Sequence, residues 1–142
     1  MAMATVHETP IAEIRVLIAS DRDIVAARQQ GRALATRLEL SSSDSTLVAT
    51  AISELARNIV SYARRGEILI RLVQNSHQSG IVIVASDEGP GIQDIHQAMR
   101  DGFSTSGSLG LGLPGVRRLM DEFEIVSQPG QGTTVTVKKW KR

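Results

Sequence analysis

Apolar and polar side chains alternate along residues 13–19, with Ile14, Val16 and Ile18 on one side and Arg15 and Leu17 on the other. A period of two is that of a half-buried strand. At Ser20 and Asp21, which offer N-cap oxygens, the period lengthens. Ile24, Ala27, Leu34 and Leu38 then fall near one face of a helix predicted to run to about residue 40. The cluster Ser41-Ser42-Ser43-Asp44 closes this helix and caps another over about 45–63, which Arg64-Arg65-Gly66 ends. Within that second helix Val48, Ala51, Leu55, Ile59 and Tyr62 lie within about 40° of a common direction at about 100° per residue, which marks a core stripe. Two β-branched segments, 67–74 and 81–86, flank the polar turn 75–80 as a predicted hairpin. Residues 123–127 and the alternating run 133–139 flank a turn at 128–132 as a second. Between the hairpins, residues 87–120 are dense in glycine, and helical signal returns only near 92–101 and after Pro114. The order strand, two helices, hairpin, glycine-rich loop with short helices, hairpin predicts an α/β fold, a sheet with helices on one face.

The 142 residues suit a single domain, expected over 13–142 behind a loose leader at 1–12. Hydrophobic residues make up 42%, enough for a packed core, and with two Phe, one Tyr and one Trp that core must be aliphatic. So few aromatics argue against base-stacking platforms for single-stranded nucleic acid. A net charge of +1, with both signs interspersed, gives no long-range pull toward nucleic acid or an anionic membrane, so neither is expected as a partner. The basic run Lys138, Lys139, Lys141 and Arg142 reads as a solubilising tail that guards a sheet edge. No cysteine is present, which excludes disulfides, zinc–thiolate sites and thiol nucleophiles, and His7, His77 and His96 lack ligand-like spacing. Apolar runs are too short to span a bilayer and the N-terminus lacks signal-peptide features, so a cytoplasmic address is the expectation.

Three segments carry candidate chemistry. Glu54 and Asn58 lie four residues apart at the edge of the core stripe and stack one turn apart. A carboxylate there can accept a proton from a substrate hydroxyl, and a carboxamide oxygen can be a hard ligand for Mg²⁺. Taken alone, the pair is better explained by ordinary helix polarity. Asp87-Glu88-Gly89-Pro90-Gly91 follows a buried-looking strand. Asp87 can accept a hydrogen bond from an exocyclic amine such as adenine N6, while Gly89 and Gly91 let the backbone turn and approach a flat ligand. A plain turn is an equal reading. The third segment, Gly107-Ser108-Leu109-Gly110-Leu111-Gly112-Leu113-Pro114-Gly115, leads into a helix carrying Val116, Leu119 and Met120. Amides of a glycine-rich turn that runs into a helix N-terminus form a natural phosphate site, and Pro114 suits the first helical turn. Without a following Lys-Ser/Thr or a preceding strand, the segment is neither a Walker A loop nor a Rossmann fingerprint. Phosphate binding is a better reading of it than a surface loop.

The order of these segments adds what each lacks. Glu54-x-x-x-Asn58, Asp87-x-Gly89-Pro90-Gly91, Gly110-x-Gly112-x-x-Gly115 and Gly132-Thr133 resemble the N, G1 and G2 boxes and closing Gly-Thr of the GHKL ATPase/kinase superfamily. The match covers nearly everything after the leader. ISELARNIVSYA, SDEGPGI, DGFSTSGSLGLGLPGVRRLMDEF and the leading DIVAARQQGR further resemble bacterial serine/threonine switch kinases of the RsbT type. The resemblance implies a two-layer α/β sandwich of the Bergerat type, with a mixed sheet and helices on one face, binding ATP and Mg²⁺. It implies Glu54 as general base, Asn58 as Mg²⁺ ligand, and Asp87 as the adenine-reading aspartate with Gly91 beside it. Gly110, Gly112 and Gly115 would contact phosphates, Thr133 would lie near the adenine, and residues around 97–112 would form a mobile lid. Leu111, inside the second glycine box, bears on lid packing and not on phosphate contacts.

By the same resemblance, the expected activity is phosphorylation of a serine or threonine on STAS-domain antagonist and scaffold proteins (RsbS/RsbR-like) of the stressosome. Once released, the protein would activate a PP2C-type phosphatase (RsbU-like), which leads to release of a stress sigma factor. Two alternatives stand beside it. One is an anti-sigma factor kinase of the RsbW/SpoIIAB type, against which the blocks around 101–122 argue. The other is a non-catalytic ATP-dependent binding module, against which an intact Glu54 argues.

Overall fold

A computed structural model describes residues 9–92, 95–100 and 112–142. Strand β1 (Thr9–Ile18) is followed by helices α1 (Asp21–Arg37) and α2 (Ser42–Asn58), and α2 continues directly into a π-helical turn, Ile59–Ala63. Then come β2 (Gly66–Gln74), β3 (Ser79–Asp87), the short α3 (Ile95–Ala98), α4 (Gly112–Leu119), β4 (Glu122–Gln128) and β5 (Gly132–Trp140). The first strand takes in residues 9–12 of the expected leader, whose residues 1–8 lie outside the described part.

The strands form one sheet in the order β1-β2-β3-β5-β4, and every neighbouring pair is antiparallel. The expectation of a mixed sheet is corrected on this point. Two helices separate β1 from β2, so the chain crosses the layer twice and re-enters where it left: Ile18 at the end of β1 pairs with Gly66 at the start of β2. A parallel neighbour would need a single crossover.

Helices α1, α2 and α4 pack on one face. Ile24, Ala27 and Leu34 of α1, Val48, Ile52 and Leu55 of α2 and Val116 of α4 join Ile68, Ile70, Ile81, Ile83, Val135 and Val137 of the sheet in one core. Register and alternation put Glu13, Arg71, Lys138 and Glu122 in one row across the other face, where Arg71 pairs with Glu13 at 3.0 Å. Helix starts are capped by side chains: the Asp23 carboxylate accepts from the Ala19 and Ser20 amides, and Ser41 Oγ accepts from the Asp44 amide at 3.0 Å. Helix α1 ends three residues earlier than expected because Glu39 turns left-handed (φ 61°) and the Leu40 amide closes onto the Ala35 carbonyl, which tucks Leu38 and Leu40 into the core.

Two sequence expectations fail for physical reasons. Tyr62 is 46% exposed and not part of the α2 core stripe, although Val48, Ala51, Leu55 and Ile59 are buried. The π turn bonds i to i+5, which widens the helix after Asn58 and takes Tyr62 out of phase. The C-terminal lysines do not guard an edge, because β5 lies between β3 and β4. Lys139 is buried: its Nζ donates to the Leu119 carbonyl at 2.8 Å and lies 3.7 Å from Asp121 and 3.9 Å from Asp44.

Candidate functional site

Asp87 is the last residue of β3, flanked in register by Gly66 of β2 and Thr133 of β5. Its Oδ1 accepts from the Gly89 amide at 2.9 Å and the Thr133 amide at 3.3 Å. Among the described residues Oδ2 takes no hydrogen bond, so the carboxylate is fixed by one oxygen and offers the other. The loop after it is folded onto the β4–β5 turn. Gly91 has φ 78°, and a side chain there would overlap the Gln128 carbonyl; Gly132 has φ 97°, and a side chain there would overlap the Asp87 carbonyl. The Gly130 amide reaches the Pro90 carbonyl at 2.6 Å. Gly89 faces Ala63 of the π turn, so at both glycines of 89–91 the missing side chain lets another part of the chain approach closely.

Thr133 is held from two sides. Its amide serves Asp87, and its Oγ1 lies 2.8 Å from Ser127 Oγ, which also accepts from the Ile92 amide at 2.8 Å. Sequence reasoning missed Ser127. The signal was present: Phe123, Ile125 and Ser127 are the alternate, less exposed positions of β4, and a hydroxyl at an inward position asks for a partner.

Glu54 is 8% exposed on α2. Its Oε1 accepts from the amide of Gly112, the first residue of α4, at 3.2 Å, and Oε2 pairs with Arg57. Gly112 has φ 68°, while Pro114 and Gly115 are buried in the first turn of α4, whose Leu113 and Val116 anchor it in the core. Asn58, half-buried, closes α2; its neighbour Ile59 packs on Gly66, which also abuts Asp87. The end of α2 and the end of β3 therefore converge around Gly66. The structure joins Asp87 with Thr133, sets Gly91 against the β4–β5 turn, and joins Glu54 with Gly112; Gly110, Leu111 and most of the segment 97–112 lie outside the described residues. A groove of about 530 Å³ between α1 and α2, lined by Arg28, Gln29, Arg32, Thr46, Ala49, Thr50 and Ser53, holds none of these residues.

A sheet-end carboxylate with a free oxygen, a helix N-terminus and a buried glutamate together suit a purine nucleotide: an acceptor for an amine at one end, N–H donors for phosphate at the other. Among the described residues no three His, Asp or Glu side chains converge on a metal site. A divalent ion here would draw most of its ligands from phosphate and water, as Mg²⁺ does.

Helices on one face of an antiparallel sheet, a strand-end aspartate and a glutamate of α2 set against the first turn of α4 are compatible with a nucleotide-binding domain. The histidine kinase-like ATPase domain family matches residues 17–139, and the chain belongs to that family, which implies ATP as its nucleotide. Over 127 residues it is 54% identical to the serine/threonine-protein kinase RsbT of Bacillus subtilis (strain 168), covering 89% of this chain and 96% of the relative; it is a homologue of that kinase. The anti-sigma F factor of Thermoanaerobacter sp. (strain X514) is 31% identical over 136 residues, covering 93% of this chain and 94% of its own. Among solved structures, the RsbU and RsbW domains of a Mycobacterium tuberculosis protein match 94% of this chain with a TM-score of 0.66 at 20% identity, a likeness of fold. This chain spans 34% of that one. No helix among the described residues is long and apolar enough to cross a membrane.

Proposed function

We propose that the chain is an ATP-dependent serine/threonine protein kinase of the RsbT type, with Glu54 as its general base. The observation that carries this reading is the placement of a buried glutamate against the first amide of α4. A base belongs beside the terminal phosphate, and a helix N-terminus is where phosphate is held. Asp87 reads the adenine amine through Oδ2, with Gly91 and Thr133 shaping that end. The amides of Gly110, Gly112 and Gly115 hold phosphate. Asn58 would hold Mg²⁺, whose positive charge would offset that of the phosphates. The protein's own part is positioning: Glu54 orients the acceptor hydroxyl and takes its proton as the phosphoryl group is transferred.

The acceptors are serines or threonines of RsbS/RsbR-like STAS-domain proteins, and the later partner is an RsbU-like PP2C-type phosphatase, both in cytoplasmic stress signalling that ends on a sigma factor. The 54% identity to RsbT, against 31% to an anti-sigma F factor, supports this reading over the anti-sigma one. The test is incubation with γ-labelled ATP, Mg²⁺ and an RsbS-like STAS-domain protein. Label on a serine or threonine of the partner is expected. Bound nucleotide without transfer would instead favour a binding module.

A further inference from the structure

Arg57 lies three residues beyond Glu54 on α2, and its guanidinium pairs with Glu54 Oε2. Pairs at this spacing on a solvated helix face contribute little. Here the carboxylate is buried, so its oxygens need partners from the protein. Oε1 has the Gly112 amide and Oε2 has Arg57, and the two contacts are not equivalent. The Gly112 amide belongs to the first turn of α4, where an incoming anion competes for it. Arg57 comes from the same helix as Glu54, and its side chain, 40% exposed, keeps its charge on the solvent side of the pair.

We propose that Arg57 is a positioning residue for the base: it pins Oε2, so that Oε1 is the oxygen presented to the acceptor hydroxyl once phosphate has taken the Gly112 amide. The inference rests on Glu54 acting as the base. A glutamate held by neither contact can swing about its own torsions, and a misplacement of about 1 Å in a reacting group costs on the order of 10²-fold in rate.

Phosphoryl transfer to an RsbS-like STAS-domain protein, at varied Mg²⁺-ATP, is to be measured for the parent, Arg57→Gln, Arg57→Lys, Glu54→Gln and the double variant. Release of inorganic phosphate, with water as acceptor, gives the same comparison without an acceptor protein. Arg57→Gln is expected to lower kcat by about 10- to 100-fold with the KM for ATP within about 2-fold, because adenine and phosphate contacts lie elsewhere. Arg57→Lys, which keeps the charge and loses the planar fork, should recover part of the loss. The double variant should be no slower than Glu54→Gln, since Arg57 acts through that carboxylate. Parent-like kcat in Arg57→Gln, with Glu54→Gln impaired, overturns the positioning role alone. A full further loss in the double variant overturns it as well. Parent-like transfer by Glu54→Gln removes the base assignment and this inference with it.

Discussion

A carboxylate at the end of an interior strand needs donors of its own chain before any ligand arrives. Among the described residues Asp87 has two, both on Oδ1, and this leaves Oδ2 as an acceptor whose direction is set by the sheet. Asp87→Asn turns one oxygen into a donor, and the amide can satisfy either the chain or the ligand, not both. The substitution is expected to weaken ATP binding by about 1.5–3 kcal/mol, the range for a lost hydrogen bond to a charged group, as read by titration calorimetry. Unchanged affinity would remove Asp87 from the adenine site. Glu54 differs from Asp87 in that no sheet frame holds it; its orientation comes from Arg57 and from α4. That difference explains why Asp87 stood out in sequence as a strand-end residue while Arg57 did not. Its role depends on a rotamer, and spacing alone does not reveal one.

At the scale of elements, the β4–β5 turn and the loop after β3 form one packed unit. Gly91→Ala and Gly132→Ala each combine a strained positive φ with overlap on a carbonyl oxygen. Each is expected to cost about 1–3 kcal/mol of stability in urea unfolding, whereas Gly130→Ala, with φ 80° and open space around it, should cost less. Equal losses at all three would show that the packing of the loop is not what the glycines serve. A second unit ties α4 to β5. Burial works against ionisation of Asp121, but the Trp140 amide, Lys139 and Arg142 outweigh it and hold the carboxyl below its ordinary range. A depressed folded value stabilises the fold above the unfolded value of about 3.9 and loses that contribution as pH falls through the folded one. The stability cost of Asp121→Asn should therefore be full at pH 7 and shrink below about pH 4; a cost independent of pH would contradict the ionic account. The two long helices and both hairpins were legible in the sequence because periodicity and turn chemistry are local. The π turn, the burial of Lys139 and the antiparallel return of β2 were not. Each is decided by what the element meets across the fold: Ala63 against Gly89, Lys139 against the end of α4, Ile18 against Gly66.

At the scale of the molecule, the antiparallel sheet brings the end of β3, the start of β5 and the start of β2 together; the turn after α2 meets this junction through Ile59, and α2 holds the start of α4 through Glu54. A ligand that bridges Asp87 and the start of α4 should therefore stabilise the whole fold. ATP with Mg²⁺ at about 100 times its Kd should add about 2.7 kcal/mol, read as a rise in Tm. GTP, with a carbonyl where ATP has the amine, should give little at the same concentration; equal shifts would contradict the adenine assignment. The most direct test of the whole account is Glu54→Gln, which keeps size and one acceptor oxygen but cannot take a proton. Single-turnover transfer from γ-labelled ATP to an RsbS-like STAS-domain protein should fall by about 10²–10⁴. Nucleotide affinity, measured on the same samples, should stay within about 3-fold of the parent, since in the proposed site adenine and phosphate are held by Asp87 and the glycine segment. Transfer at the parent's rate would contradict the account.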